Sequence, residues 1–282
     1  MGLDAAAVLL QWATGGLAFL WLTTRRREVG LGYGWMMRST FGLMALGAFW
    51  VAQLTERSWG RDIASLGVFV ASAVALVVSV LCRRAGVAGQ RGRAQRSSAR
   101  VAAMTGIDRE AQTFDGTARE FPPLLDLIAP AVGIVGLLSA AGGLGGSPLT
   151  AALRLVVGAA FLGAVSDAML LGHWYLVQPG LARAPLREMV RWTMYTWPAE
   201  LLVLLLPVGM VSVLNGDIND GYGGLLGWFW AACVVGTIVL EGVTWAALKE
   251  RQYAAVMAAT GLLYLAILTA FGMDLVARAV LR

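Results

Sequence analysis

The residues best suited to chemistry in this sequence are ionisable side chains inside long apolar runs. They are Arg38, Asp126, Asp167, His173, Glu200 and Glu241. Ionisable groups in hydrocarbon are costly, and in membrane proteins they mark proton relays, ion pathways and substrate sites. A carboxyl group can take up and release a proton, whereas an arginine can balance its charge or hold an anion. These six side chains are therefore the candidate functional residues.

Their positions along the apolar runs predict a shared depth in the membrane. With a helical rise of about 1.5 Å per residue, all six lie roughly 8–17 Å from the end of the bundle that carries the basic loops. We therefore expect one polar cavity in this half, with His173 as its shallowest member. At least one of its carboxyl groups is expected to be protonated or to hold a cation. Arg154 and Asp274, near the opposite ends of their runs, are the main ionisable residues of the other half and could pair with each other.

His173 is the only histidine of the chain, and Asp167 precedes it by six residues. This spacing turns the two side chains about 120° apart on a helix, so they need not touch. One interpretation of His173 is a gate or proton relay at the mouth of the cavity, and the other is an interfacial aromatic anchor. The aromatic residues that could form walls of the site are Trp174, Tyr175, Trp192, Tyr195 and Trp197.

Several kinds of catalysis receive no support from the sequence. One histidine cannot supply a usual zinc ligand set, and the H-E-x-x-H, P-loop and G-x-S-x-G motifs are missing. Cys82 and Cys233 do not form a C-x-x-C pair, so no metal site is predicted. The sequence requires no cofactor and does not favour an enzyme, while a haem or quinone near His173 stays a weakly supported alternative.

The composition predicts an integral membrane protein made of helices. Of the 282 residues, 58% are hydrophobic and only 14% are charged, against about 25% in ordinary soluble domains. The mean hydropathy is +0.70. The net charge of +5 comes mostly from arginines that cluster in loops, a pattern that sets membrane topology and does not suggest binding to nucleic acid.

Eight apolar runs approach the length of about 20 residues that a helix needs to cross a bilayer. The predicted spans, all within one transmembrane domain (1–282), are 3–23, 33–54, 62–82, 121–145, 149–178, 191–214, 224–247 and 253–276. The basic loops alternate with neutral or acidic ones, which places the basic loops in the cytoplasm of a bacterial inner membrane. Both ends of the chain are then expected on the non-cytoplasmic side.

The long connection 83–120 is predicted to be a basic cytoplasmic loop, rich in Arg, Gly and Ser in its first half. It is either a solvated segment beside the lipid or a docking site for an anionic lipid or an acidic protein partner. Oligomer formation and membership of a larger complex are left open by the sequence.

The clustering of acids at one depth favours proton- or ion-linked transport, or the membrane subunit of an energy-coupling complex. In this hypothesis Asp167, Glu200 and Glu241 carry protons or cations. One alternative is a redox protein that binds haem or quinone, and another is a structural subunit whose buried charges only hold the helices in register.

Overall fold

The computed structural model describes residues 4–55, 57–92, 94, 96, 114–142, 147–178 and 181–281. Within these ranges every regular element is helical. The α-helices are α1 (Ala5–Thr24), α2 (Leu31–Leu54), α3 (Trp59–Leu81), α4 (Ile128–Ala141), α5 (Pro148–Val177), α6 (Ala184–Leu205), α7 (Gly209–Leu214), α8 (Leu225–Ala247) and α9 (Tyr253–Val280). Short 3₁₀ turns cover Cys82–Arg84 and Pro123–Leu127, residues 88–92 are also helical, and the middle of the predicted basic loop lies outside the described residues.

Helices long and apolar enough to cross a membrane make this a helical, multi-pass membrane protein. Among the described residues there are six, formed by α1, α3 with its extension to Gly92, α4 with the turn before it, α5, α8 and α9. The predicted total of eight is not confirmed by this criterion, because α2 and α6 do not meet it. These two helices are nevertheless 24 and 22 residues long, and they fall on predicted spans.

The predicted span 191–214 differs most from the structure. Its helix α6 begins seven residues earlier, at Ala184, and ends at Leu205. Pro185 occupies the first turn, where its missing N–H costs nothing, and the charged residues that follow are part of the helix. The helix ends before Leu206 because a following proline, here Pro207, disfavours the helical conformation of the residue before it.

The centre of the bundle is a close crossing of α1 and α5. These are the two most buried of the six membrane helices, because 67% and 72% of the residues in their most apolar segments lie inside the protein. A methyl group on Gly15 would lie 1.8 Å from the carbonyl oxygen of Ala159, and one on Gly163 would lie 2.2 Å from the carbonyl carbon of Gly15. The two backbones are therefore in direct contact, as small residues allow between helices in lipid.

Two hydrophobic cores lie on either side of this crossing, and α5 belongs to both. The larger core joins α1 and α2 to one part of α5 and includes Leu20, Phe41 and Leu171. The smaller core joins another part of α5 to α6, α7, α8 and α9 and includes Phe161 and Trp230. Because α5 packs against helices from both halves of the chain, it positions the polar side chains of both.

The charged connections gather at one end of the bundle, as the alternation of basic and acidic loops predicts. Hydrogen bonds and ion pairs there join Arg25 and Arg26 to Glu188, Arg27 and Arg91 to Glu120, and Arg183 and Arg187 to the carbonyls of residues 248, 250 and 251. At the other end, the Asp4 cap of α1 pairs with the buried Arg61 of α3. Asp4 also lies near enough to Arg278 of α9 to interact electrostatically, so α1 begins at the same end at which α9 finishes.

Substitution of Gly163 by alanine is expected to separate α1 from α5. The new methyl group would collide with backbone, which cannot rotate away, and overpacking of this kind costs about 1–3 kcal/mol. Thermal unfolding of the purified protein should show a lower melting temperature for Gly163→Ala. Gly261→Ala on α9 is the control, because a methyl group there meets nothing within 4 Å. Equal melting temperatures of the two variants would contradict the crossing.

Glu120 should make the stability of the basic end dependent on pH. Its hydrogen bond from Arg91 and the charge of Arg27 hold the pKa of the Glu120 carboxyl below its usual 4.5, although partial burial opposes them. A lowered pKa contributes stability above the usual value, and that stability is lost as the pH falls through the folded-state pKa. Glu120→Gln should therefore melt earlier than the wild type at neutral pH, with the difference disappearing in acid.

The control for this experiment is Glu250→Gln, which changes an exposed glutamate at the same end of the bundle. The melting temperature of Glu250→Gln should change between neutral and acidic pH by the same amount as that of the wild type. If the melting temperatures of Glu120→Gln and the wild type differed by the same amount at all pH values, the carboxylate charge would not be what stabilises this end.

Candidate functional site: buried carboxyl groups between the helices

The six predicted site residues take part in several different contacts in the described structure. Of the six, only Arg38 and Asp126 are joined to each other by a hydrogen bond or ion pair in the described part of the chain. Each of the others lies between a different set of helices. All of the six except His173 are buried inside the protein.

Arg38 and Asp126 form a two-pronged ion pair between α2 and the turn that leads into α4. The Arg38 Nε and Nη2 atoms each lie 2.7 Å from a different oxygen of Asp126, and both side chains are only 2% exposed. The ring of Phe121 covers the guanidinium, with its centroid 4.3 Å from Cζ. The third nitrogen, Nη1, is buried and has no hydrogen-bond partner among the described residues.

Asp167 is fully buried where α1, α2 and α5 meet. Its Oδ2 accepts a hydrogen bond from the Thr23 hydroxyl at 2.5 Å, and its Oδ1 accepts one from the Tyr33 hydroxyl at 2.8 Å. No basic side chain of the described residues contacts it. Sequence reasoning missed Thr23 and Tyr33, because both stand close to the basic ends of their helices, whereas Asp167 lies roughly 15 Å from the basic end of α5. A count of depth along each helix therefore does not match them.

Glu241 is fully buried between α8 and α6. Its Oε2 contacts the Thr193 hydroxyl, and its Oε1 has no hydrogen-bond partner within the described ranges. Like Asp167, it meets no basic side chain there. The same Thr193 oxygen lies 2.8 Å from the Val190 carbonyl, and a hydroxyl has only one hydrogen to give. Two acceptors for one hydrogen can both be satisfied only if the Glu241 carboxyl supplies a proton of its own.

Glu200 lies deeper than predicted. Because α6 begins at Ala184, Glu200 is roughly 24 Å beyond the start of its helix, in the half opposite the basic loops. Its carboxyl group lies near enough to the Asp274 carboxyl on α9 for the two to interact electrostatically, and neither of its oxygens has a hydrogen-bond partner among the described residues. Two buried carboxyl groups close to each other repel when both are ionised.

The pairing of Arg154 with Asp274 that the sequence allows is not what the structure shows. Asp274 pairs instead with Arg278, one turn later on α9, whose Nε lies 2.9 and 2.8 Å from its two oxygens. Arg154 donates to the carbonyls of Val203 and Leu206 at the end of α6. Spacing along the sequence could have suggested Arg278, because residues four apart on a helix are neighbours.

His173 lies on the outside of the bundle. It is exposed, and its Nδ1 is 3.1 Å from the hydroxyl of Tyr264 on α9. The two rings stand edge to face, with centroids 6.2 Å apart. The structure therefore places His173 away from the buried contact of Asp167, and of the two interpretations it favours the interfacial anchor.

The five predicted aromatic residues do not line one pocket either. Trp174 packs edge-on against Tyr33, so it stands beside the Asp167 contact, and Tyr175 is buried with its hydroxyl on the Ala182 carbonyl. Trp192 packs between Phe19 and the largely exposed Tyr195, and Trp197 packs against the smaller core. Only Trp174 therefore contributes to the surroundings of a buried acid through the described contacts.

The described residues contain no group of three His, Cys, Asp or Glu side chains that could hold a metal ion. What they do contain is buried carboxyl groups whose contacts are hydroxyls, Asp167 and Glu241 among them. Such groups can bind and release single protons.

Comparisons with known proteins add no identification. No protein-family model, no curated protein and no solved structure matches this chain.

Removal of one partner of the Arg38–Asp126 pair should destabilise the protein strongly. Asp126→Asn leaves a buried guanidinium without its counter-charge, and such a loss costs about 3–5 kcal/mol. The double variant Arg38→Met with Asp126→Leu removes both charges and should recover most of the lost melting temperature. If the double variant were as unstable as the sum of both single changes, the pair would not be the source of the effect.

Proposed function

We propose that this protein carries out proton-linked transport across a bacterial inner membrane, alone or as the membrane subunit of an energy-coupling complex. Asp167 and Glu241 are the proton-binding groups, with the Glu200–Asp274 pair as a third site. The observation that carries the proposal is the environment of Asp167 and Glu241. Both are fully buried and contact hydroxyl groups, but neither meets a basic side chain in the described structure.

The cost of charge in hydrocarbon favours the neutral form of these two acids. An ionised carboxyl without a counter-charge is expensive in a low-dielectric interior, whereas a protonated one can both donate and accept hydrogen bonds. The Thr23 and Thr193 hydroxyls each also face a carbonyl of their own helix, at 3.0 and 2.8 Å. A carboxyl proton donated to the threonine hydroxyl would leave that hydroxyl free to donate to its helix carbonyl, and loss of the proton would leave a charge that other groups must compensate.

The three sites stand at different depths, as a proton pathway requires. Glu241 lies roughly 9 Å from the end of α8 beside the basic loops, and Asp167 roughly 15 Å from the same end of α5. Asp274 lies roughly 9 Å from the opposite end of α9. Arg278 balances the single negative charge that Glu200 and Asp274 retain when they share one proton.

The proposal includes eight spans, with α2 and α6 crossing the membrane beside the six helices that meet the criterion of length and composition. The contacts among the basic loops support this topology, because α1, α3, α5 and α8 would all finish at the end where these loops meet. We place this end in the cytoplasm, where basic loops are retained. The predicted loop 83–120 would then face the cytoplasm and anionic lipid or an acidic partner.

Proton flux into vesicles tests this function. The purified protein is reconstituted into lipid vesicles that contain a pH-sensitive dye. A potassium diffusion potential across the vesicle membrane then drives proton entry. We expect wild-type protein to acidify the interior faster than empty vesicles do. Asp167→Asn and Glu241→Gln should each lower the protein-dependent rate at least tenfold, because an amide keeps the size of the side chain but cannot take up the proton.

Matched controls are Asp217→Asn and Glu250→Gln, which make the same chemical changes at exposed positions. They should keep the wild-type rate, and all four variants should elute as the wild type does in gel filtration. Equal rates for the wild type, Asp167→Asn and Glu241→Gln, whether high or at the level of empty vesicles, would overturn the proposal.

A further inference from the structure

A small cavity at the basic end of the bundle combines several features of an anion site. It lies between α1, α2 and the segment before α4, and its volume is about 20 Å³. This is room for one water molecule or one oxygen atom of a larger group. The residues around it are Thr24, Arg27, Val29, Gly30, Leu31, Gly34, Arg38, Val87, Phe121 and Pro123.

The unpartnered nitrogen of Arg38 is the first observation. Asp126 holds Nε and Nη2 of this arginine, and Phe121 covers its face, but Nη1 is left without a partner in the described structure. Arg38 is only 2% exposed, and a buried N–H without an acceptor costs about 1–3 kcal/mol. Gly34 leaves space beside this atom, because a methyl group there would lie 2.6 Å from Nη1.

The start of α2 is the second observation. Gly30 and Leu31, the cap and the first residue of this 24-residue helix, line the cavity, and no side chain caps the helix there. The first N–H groups of a helix have no partner within it, and together with the helix dipole they favour an anion.

Positive charge at the rim is the third observation. Arg27 lines the cavity, and 43% of its side chain is exposed, so it stands where a ligand would enter. Arg27 and Arg91 share the single carboxylate of Glu120, which leaves one uncompensated positive charge in this group of three. The Arg38–Asp126 pair is neutral as a whole, and Arg27 and Arg38 are the charged residues that the described lining contains, so this lining favours a negative guest. The Glu28 carboxylate stands next to Arg27 in the chain but is not part of the lining.

We propose that this cavity binds a phosphate group. One phosphate oxygen would accept hydrogen bonds from Arg38 Nη1 and from the N–H groups at the start of α2, and the other oxygens would face Arg27. Phosphate fits better than a single-atom anion because its several oxygens can reach both the buried Arg38 Nη1 and the partly exposed Arg27 at the rim. The group can come from the headgroup of an anionic lipid, since the cavity opens among the basic loops, or from free phosphate. This site is independent of the proposed proton pathway.

Binding is tested by thermal unfolding of the purified protein with two probes. One is inorganic phosphate, titrated against chloride at equal ionic strength, and the other is phosphatidylglycerol in vesicles of phosphatidylcholine. A ligand that binds only the folded protein raises its melting temperature. Stabilisation by phosphate alone identifies free phosphate as the source, and stabilisation only by the anionic lipid identifies the headgroup.

Gly34→Ala is the decisive variant, because its methyl group occupies the space beside Nη1 without removing a charge. We expect about a tenfold loss of affinity for the probe that stabilises the wild type. Gly47→Ala, on the same helix but with nothing within 4 Å of the added methyl, should bind as the wild type does.

A second pair of variants tests the same site without the methyl group of Gly34→Ala, which could itself disturb the packing. Arg27→Gln removes the charge at the rim and should also weaken binding, whereas the neighbouring Arg26→Gln removes an equal charge that does not line the cavity. If neither probe stabilises the wild type, or if each test variant binds as its control does, the site does not exist.

Discussion

The contact of the α1 and α5 backbones at Gly15 and Gly163 is the constraint on which the rest of the structure depends. Lipid is as apolar as a leucine side chain, so helices in a bilayer associate through close packing and polar contacts and not by escape from water. With these two helices in contact, α5 takes part in both hydrophobic cores. Its position decides that Asp167 faces Thr23 and Tyr33, and that His173 faces outward to Tyr264.

The buried ionisable groups fall into two classes that have different physical consequences. Arg38 with Asp126, Arg61 with Asp4 and Arg278 with Asp274 are close ion pairs, in which each charge has its partner. Such pairs hold helices in register, and removal of one partner from a pair destabilises the protein. Asp167 and Glu241 have only hydroxyl partners in the described structure, and for them the neutral form is the inexpensive one. The proposed proton pathway uses this second class, with the Glu200–Asp274 pair between the two.

The basic end of the bundle has two roles in our account: its contacts hold the helix ends together, and its cavity is the proposed phosphate site. Its arginines contact carboxylates and carbonyls of neighbouring loops, and those contacts hold the helix ends together. Around Arg27 and Arg38 the same end leaves donors without acceptors, beside the first turn of α2. A phosphate group in this cavity would join α1, α2 and the segment before α4, so its binding would stabilise that end.

Composition and hydropathy determined that the chain is a bundle of membrane helices, and helices fill most of the described part of each of the eight predicted runs. They also located the ionisable groups inside those helices, because burial of a charge needs only a long apolar run around it. Tertiary structure decided the partners, since depth along one helix does not specify its rotation or its neighbours. Glu200 shows the limit of the sequence. The charged residues at the start of α6 concealed the first turns of this helix, and only the tertiary structure placed Glu200 near Asp274 of α9.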